Sequence, residues 1–162
     1  RRQRQMCIRD RCHLDPMIAR LIRDHEMDLM TMKIGINVMG ASSLSPRTFK
    51  GTVIGFTQIV REKHPDIPIG IISPIISPPR ETTLNAVGFS LEMMRDELTD
   101  AVDRIRRVMG DNKIYYFDGL KLFGNGLVND FLPDNLHPNG DGYEIMGKHA
   151  ALHILPKLVN AL

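Results

Sequence analysis

Several absences in the sequence narrow its possible roles. There is no tryptophan, and three Tyr and six Phe are the only aromatics among 162 residues. The two cysteines, Cys7 and Cys12, lie close together near one end, so neither a disulfide framework nor a cysteine-based zinc site is supported. Redox compartment stays open. No apolar run approaches the roughly 18 to 20 residues that span a bilayer, and the start lacks the apolar h-region of a secretory signal. No Gly-x-Gly-x-x-Gly or phosphate loop occurs, which argues against nucleotide binding. What is present is a 43% hydrophobic, 25% charged composition, that of one globular domain. A domain of this length buries about two-thirds of its unfolded surface and builds a core without staples.

Charge of one sign is also lacking overall, with a net charge of +2, but it is unevenly spread. Residues 1–11 hold five Arg and one Asp and so carry +4, leaving −2 for the remainder. One reading is a basic arm for nucleic acid or an anionic membrane. The other is that RRQRQMCIRDR is, codon by codon, the translation of a transposase adapter. We take residues 1–11 as adapter-derived and exclude them from fold reasoning, which leaves residues 12–162 as one domain or a piece of one. On that reading no nucleic-acid partner is expected.

The rest alternates helix and strand. Asp15-Pro16 is a cap followed by proline, and Met17, Ile18, Leu21 and Ile22 recur at helical spacing to about His25. Leu29 to Ile36 is a short apolar run, as expected of a buried parallel strand, running into a Gly/Ser-rich loop from Gly35 to Ser45. Ser45-Pro46 starts a second helix, with Phe49, Val53, Phe56, Ile59 and Val60 on its stripe and its end near His64-Pro65. A strand over Ile67 to Ile76 and a long polar loop to Gly88 follow. A third helix is expected from Ser90 to Met109, with Leu91, Met94, Leu98, Val102 and Ile105 facing inward. Ile114 to Phe117 is a strand, then comes a Gly/Asn-rich loop through Asn139, and Gly142 to Leu158 is a terminal helix. This rhythm predicts a parallel sheet with helices on both faces, and in such sheets ligands bind beyond the carboxyl ends of the strands.

Two motifs fall at those ends. In Leu132-Pro133-Asp134-Asn135-Leu136-His137-Pro138-Asn139, an Asp three residues before a His lets the carboxylate accept a hydrogen bond from the imidazole and fix its tautomer, leaving the other nitrogen as a general base. The same pattern also arises from a turn-capping Asp beside a surface His. In Lys33-Ile34-Gly35-Ile36-Asn37, an Asn amide at the carboxyl edge of a strand can donate to a developing oxyanion, though Asn is also a common turn residue.

Together, strand-Gly-x-Asn and Asp-x-x-His-Pro-Asn, about a hundred residues apart across a β/α rhythm, resemble blocks III and V of the SGNH (GDSL-type) hydrolase superfamily. The resemblance covers Cys12 to Leu158. It implies an α/β, flavodoxin-like three-layer sandwich with sheet order 2-1-3-4-5, and ester hydrolysis through an acyl-enzyme on a small-molecule ester, acetyl esters included, with no metal or cofactor. It makes His137 the general base, Asp134 its orienting carboxylate and Asn37 the oxyanion-hole residue. The superfamily's Gly-Asp-Ser block and its oxyanion Gly, which follow the first and second strands, have no match. The visible strands then correspond to the third, fourth and fifth, and the chain is expected to be an N-terminally truncated fragment, itself nearly inactive for want of the nucleophile. Ser42, Ser43 and Ser45 lack the strand-to-helix elbow, and Ser73 and Ser77 belong to a Pro-rich loop to which the resemblance assigns the shaping of the substrate pocket.

Other residues are weighed beside these. His13 and Asp15 are weighed as neighbours of the missing Gly loop, with Asp15 read first as a helix cap. Asp118 after a strand reads as turn chemistry or as a substrate contact. His25 and His64 sit at helix ends. His149 and His153, at i and i+4, suit metal ligation, but no carboxylate or third His is apparent nearby and no metal is expected. The ten Met are core filler, and Arg104, Arg106 and Arg107 make a solvated helix end. Two alternatives stand beside the esterase reading: an acyltransferase of the same superfamily, and a non-catalytic flavodoxin-like binding module. Oligomeric state is left open.

Overall fold

The computed structural model describes residues 13–162; both cysteines and the adapter reading of residues 1–11 lie outside the described residues. Three strands, β1 (Met30–Lys33), β2 (Ile69–Ile72) and β3 (Ile114–Phe117), form one parallel sheet in the order β1-β2-β3. Met30 is in register with Ile69, and Ile69 with Ile114. The helices are α1 (Pro16–Arg23), α2 (Ile36–Ala41), α3 (Pro46–Arg61), α4 (Leu91–Met109), α5 (Val128–Phe131), α6 (Gly140–His153) and α7 (Leu155–Val159).

Alternation along the strands sends apolar side chains to both faces of the sheet. Ile69, Ile71 and Ile114 join Phe49, Val53 and Val60 of α3 and Leu91, Met94, Leu98, Val102 and Ile105 of α4 in one core. Phe49 and Phe89 meet there edge to face, with centroids 5.2 Å apart. Ile72 and Phe117 point the other way, into a second core with Phe123, Leu132, Ile154 and Leu158. Gly70 has no side chain because one would press on Phe117 and Leu158, at 3.1 and 3.2 Å. The protein is therefore an α/β/α structure around a parallel sheet, of the flavodoxin-like kind the motifs imply.

The caps follow the sequence. Asp15 accepts from Met17 N, and Ser90 from Met93 N. Gly110, at φ 72°, ends α4 in the left-handed conformation that glycine adopts without penalty. Two expectations are corrected. The Gly/Ser-rich stretch after β1 is not all loop: Ile36–Ala41 is a helix, because Val38 and Met39 bury completely or nearly so against the first core. The terminal helix is not continuous, since Pro156 supplies no N–H and the chain breaks at Ile154 into α6 and α7. The long loops also contain short 3-10 turns at Pro78–Arg80, Gly119–Lys121 and Asn125–Leu127, and the helix α5.

Candidate active site

The three loops that leave the carboxyl ends of the strands are locked to one another by close backbone approaches. Gly35, two residues beyond β1, has φ 129°, and a Cβ there would lie 2.4 Å from Pro74 Cγ, in the segment leaving β2. Gly119, two residues beyond β3, would place a Cβ 2.1 Å from the Ser73 carbonyl oxygen and 2.6 Å from that of Pro74. Its N–H donates to Ser73 Oγ at 2.9 Å, and Tyr116 Oη donates to the same oxygen at 3.1 Å. One step further along, Ser77 Oγ donates to the Asn135 carbonyl at 2.6 Å. Contacts thus run from the Gly35 turn through Pro74 and Ser77 to the loop bearing Asp134 and His137, so all of these segments share one edge of the sheet.

The Asp134 to His137 turn is closed by its own carboxylate. Asp134 Oδ1 accepts from Leu136 N at 2.9 Å and from His137 N at 2.6 Å, while Oδ2 lies 2.7 Å from His137 Nδ1. Asn135 adopts φ 58°, a left-handed conformation that Asn tolerates better than most residues, and this bend folds the imidazole back over the carboxylate. The backbone N–H of His137, then its imidazole, hold the Asp134 carboxyl down to about 2 from an ordinary 3.8, with Leu136 N–H adding to the effect. Buried Leu132 and Pro138 anchor the two ends of the turn, and both Asp134 and His137 remain open to solvent. An imidazole whose Nδ1 is held by a carboxylate carries its proton there when neutral and presents a bare Nε2, the arrangement a general base requires.

Asn37 lies in the first turn of α2 rather than in a loop, exposed. Among the described residues its side-chain amide has no hydrogen-bond partner, so its two N–H donors are open to a ligand. The geometry joins Asp134 to His137 directly and links Asn37 to them through the packed Gly35 and Pro74 segments.

Most of the remaining candidates have structural employment. Ser43 Oγ bonds His13 Nδ1 at 2.7 Å, Ser45 shares a capping box with Thr48, and Ser73, Ser77 and Ser90 are engaged as above. None of the six serines of the sequence is bonded to His137. Asp118 accepts from Leu120 N, as a turn residue does. His64 Nε2 bonds the Arg23 carbonyl, and His149 Nδ1 that of Leu122. Among the described residues no three His, Cys, Asp or Glu side chains gather in a metal-binding group, and no helix is long and apolar enough to cross a membrane. A cavity of about 630 Å³ between the carboxyl ends of α3 and α4 lies by the start of β3, at the opposite edge of the sheet, and is lined by neither Asn37 nor His137.

Sequence reasoning missed Arg95. It is 8% exposed, on the core side of α4, where it grips the segment after β2. Its position is the missed signal, since Arg95 falls four residues after Leu91 and three before Leu98, within the inward stripe.

No family model matches the sequence, and no curated protein sequence matches it. Solved structures do. The salicylyl-acyltransferase SsfX3 from a tetracycline biosynthetic pathway is 32% identical and superposes with a TM-score of 0.77, over 90% of this chain and 43% of its own. A GDSL-like lipase from Bacteroides ovatus is 20% identical with a TM-score of 0.68, over 90% of this chain and 40% of its own. A carbohydrate esterase of family 3 from Talaromyces cellulolyticus gives 12% and 0.65, over 88% of this chain and 65% of its own. The chain thus spans less than half the length of the first two. Fold and motifs agree: the described residues form part of an SGNH (GDSL-type) hydrolase fold, the kind shared by esterases, lipases and acyltransferases.

Proposed function

We propose that this chain carries the general-base half of a serine acyl-transfer site that cleaves small acyl esters, acetyl esters among them. The observation that carries the reading is the Asp134–His137 pair, with Oδ2 to Nδ1 at 2.7 Å and Nε2 unengaged on the carboxyl edge of a parallel sheet. His137 Nε2 takes the proton of a serine hydroxyl as its oxygen attacks the ester carbonyl, and returns it to the departing alcohol. It then deprotonates water, which attacks the acyl-enzyme and releases the acid and the serine. Asp134 keeps the proton on Nδ1 and stabilises the imidazolium, and the Asn37 amide donates to the tetrahedral oxyanion, a contribution of about 3 to 4 kcal/mol where such a donor operates.

Five of the six serines are tied up elsewhere and Ser42 sits at the left-handed end of α2, so the nucleophile is assigned to sequence beyond these 162 residues. A second reading is favoured by the 32% identical relative, described as an acyltransferase: an acceptor alcohol replaces water in the last step and the same residues serve.

The test is p-nitrophenyl acetate turnover by the 162-residue chain and by the chain extended upstream with its own coding sequence. The extended protein is expected to turn over, with His137→Ala lowering kcat by about 10⁴-fold or more, and the 162-residue chain to be nearly inert. Robust turnover by the 162-residue chain, or an extended protein whose activity is indifferent to His137, overturns the proposal.

A further inference from the structure

The loop that holds the Asp134–His137 pair is not self-supporting. Its left-handed residue, Asn135, has its carbonyl fixed by Ser77 Oγ at 2.6 Å, and Ser77 is 1% exposed. Arg80 Nη1 donates to the same Ser77 oxygen at 3.0 Å, which occupies a lone pair and turns the hydroxyl proton toward Asn135. Ser77 N in turn donates to Glu81 Oε1 at 2.9 Å. Glu81 receives both Arg95 Nη1 and Nη2, at 2.6 and 3.0 Å, a two-pronged pair. The rest of the guanidinium is spent on the Pro74 carbonyl, from Nε at 3.1 Å, and the Ile75 carbonyl, from Nη2 at 3.3 Å.

A guanidinium this deeply buried is costly in lost hydration unless its N–H groups are satisfied, and a hydrophobic residue on the α4 stripe would serve core packing as well. What a hydrophobic residue lacks is the fork geometry, which fixes two successive carbonyls and a carboxylate in one plane. The beneficiary of that geometry is the Ser77 backbone N–H, held by Glu81 Oε1, and through the Ser77 side chain the Asn135 carbonyl.

We propose that Arg95, Glu81 and Ser77 are positioning residues for the His137–Asp134 pair, a relay from the α4 core that sets the Asn135 bend and so the imidazole orientation. The inference deepens the reading of His137 as general base and rests on it. Arg95 touches no reacting atom. It acts through Glu81, Glu81 through Ser77, and Ser77 through the backbone of the catalytic turn.

The test reads the His137 ring directly in the full 162-residue chain, by long-range ¹H–¹⁵N correlation of ¹⁵N-histidine protein above the imidazole titration. The wild-type chain is expected to show His137 mainly as the Nδ1–H tautomer. In Ser77→Ala that tautomer falls to the minority share of an untethered imidazole, which favours Nε2–H, while the backbone spectrum of α3 and α4 stays in place. Arg95→Lys, which retains charge but not the fork, gives the same change. Glu81→Gln, nearly unchanged in shape, carries the test if Ser77→Ala does not fold. A wild-type Nδ1–H signature that survives in all the folded variants overturns the relay and leaves the His–Asp pair standing. Absence of that signature from the wild-type chain overturns the pair itself, and the relay with it.

Discussion

Replacing Gly119 with alanine would drive a methyl carbon to 2.1 Å from the Ser73 carbonyl oxygen and 2.6 Å from that of Pro74. Non-bonded contacts of this kind settle at about 3.5 Å, so the segments leaving β2 and β3 must part by about 1.4 Å. No flexible side chain can absorb the displacement, because the opposing atoms are backbone. The shift also stretches the Gly119 N–H to Ser73 Oγ bond, now 2.9 Å and buried. Overpacking costs about 1–3 kcal/mol and a broken buried hydrogen bond about 1–3 kcal/mol more, so the expected loss is about 2–6 kcal/mol. With a urea slope of about 2 kcal/mol/M, the unfolding midpoint moves down by about 1–3 M. Gly147 is the internal control: it lies within α6, and a Cβ there meets nothing within 4 Å, so Gly147→Ala gains about 0.5–1 kcal/mol from helix propensity. Urea melts of the two variants beside the parent chain decide the matter. A Gly119→Ala midpoint within about 0.3 M of the parent would refute the claim that these two loops are held at contact distance.

Two further outcomes follow from other contacts. The Asp134 carboxyl is held near 2 in the folded chain against an ordinary 3.8, so its contribution to loop order is complete above about 3.8 and is lost as pH falls through about 2; a ¹³C carboxyl titration of Asp134 with a midpoint at or above 3.8 would contradict this. Arg61 and Asp111 form a two-pronged pair whose side chains are 14% and 13% exposed, and Asp111→Ala leaves the guanidinium with only the His64 and Ile67 carbonyls. A loss of about 2–4 kcal/mol is expected in thermal or urea unfolding, and a change below about 0.5 kcal/mol would show the pair to be inert.

The parts of the molecule that were legible in the sequence are those set by periodicity and caps. The stripe Leu91, Met94, Leu98, Val102 and Ile105 is buried throughout, and Ser90 and Gly110 bound its helix as their chemistry dictates. The Asp134 to His137 geometry was equally readable, since spacing alone lets an Asp carboxylate close a four-residue turn on an imidazole. What escaped was set by contacts distant in sequence. The helix α2 forms in a stretch whose glycines and serines suggest loop, because the left-handed turn at Gly35 delivers Val38 and Met39 into the core. Ser77 reads as one polar residue in a proline-rich loop until Asn135, 58 positions away, is seen to need it. Arg95 is disguised between Leu91 and Leu98, which place it on the apolar stripe, and its partner Glu81 lies in a segment with no periodicity to interpret.

The sheet separates two cores that differ in when their sequence becomes available. Every buried member of the first, from Leu14 to Ile114, has been made by the time the chain reaches β3. The second gathers Ile72 and Phe117 with Phe123, Leu132, Ile154 and Leu158, and is not complete until nearly the last residue. During synthesis at about 5–20 residues per second, the α3 and α4 layer therefore has a lead of seconds over its counterpart. The residues of the proposed relay, Ser77 to Arg95, are likewise made before the Asp134–His137 turn, so that turn emerges after the segment it is to dock on.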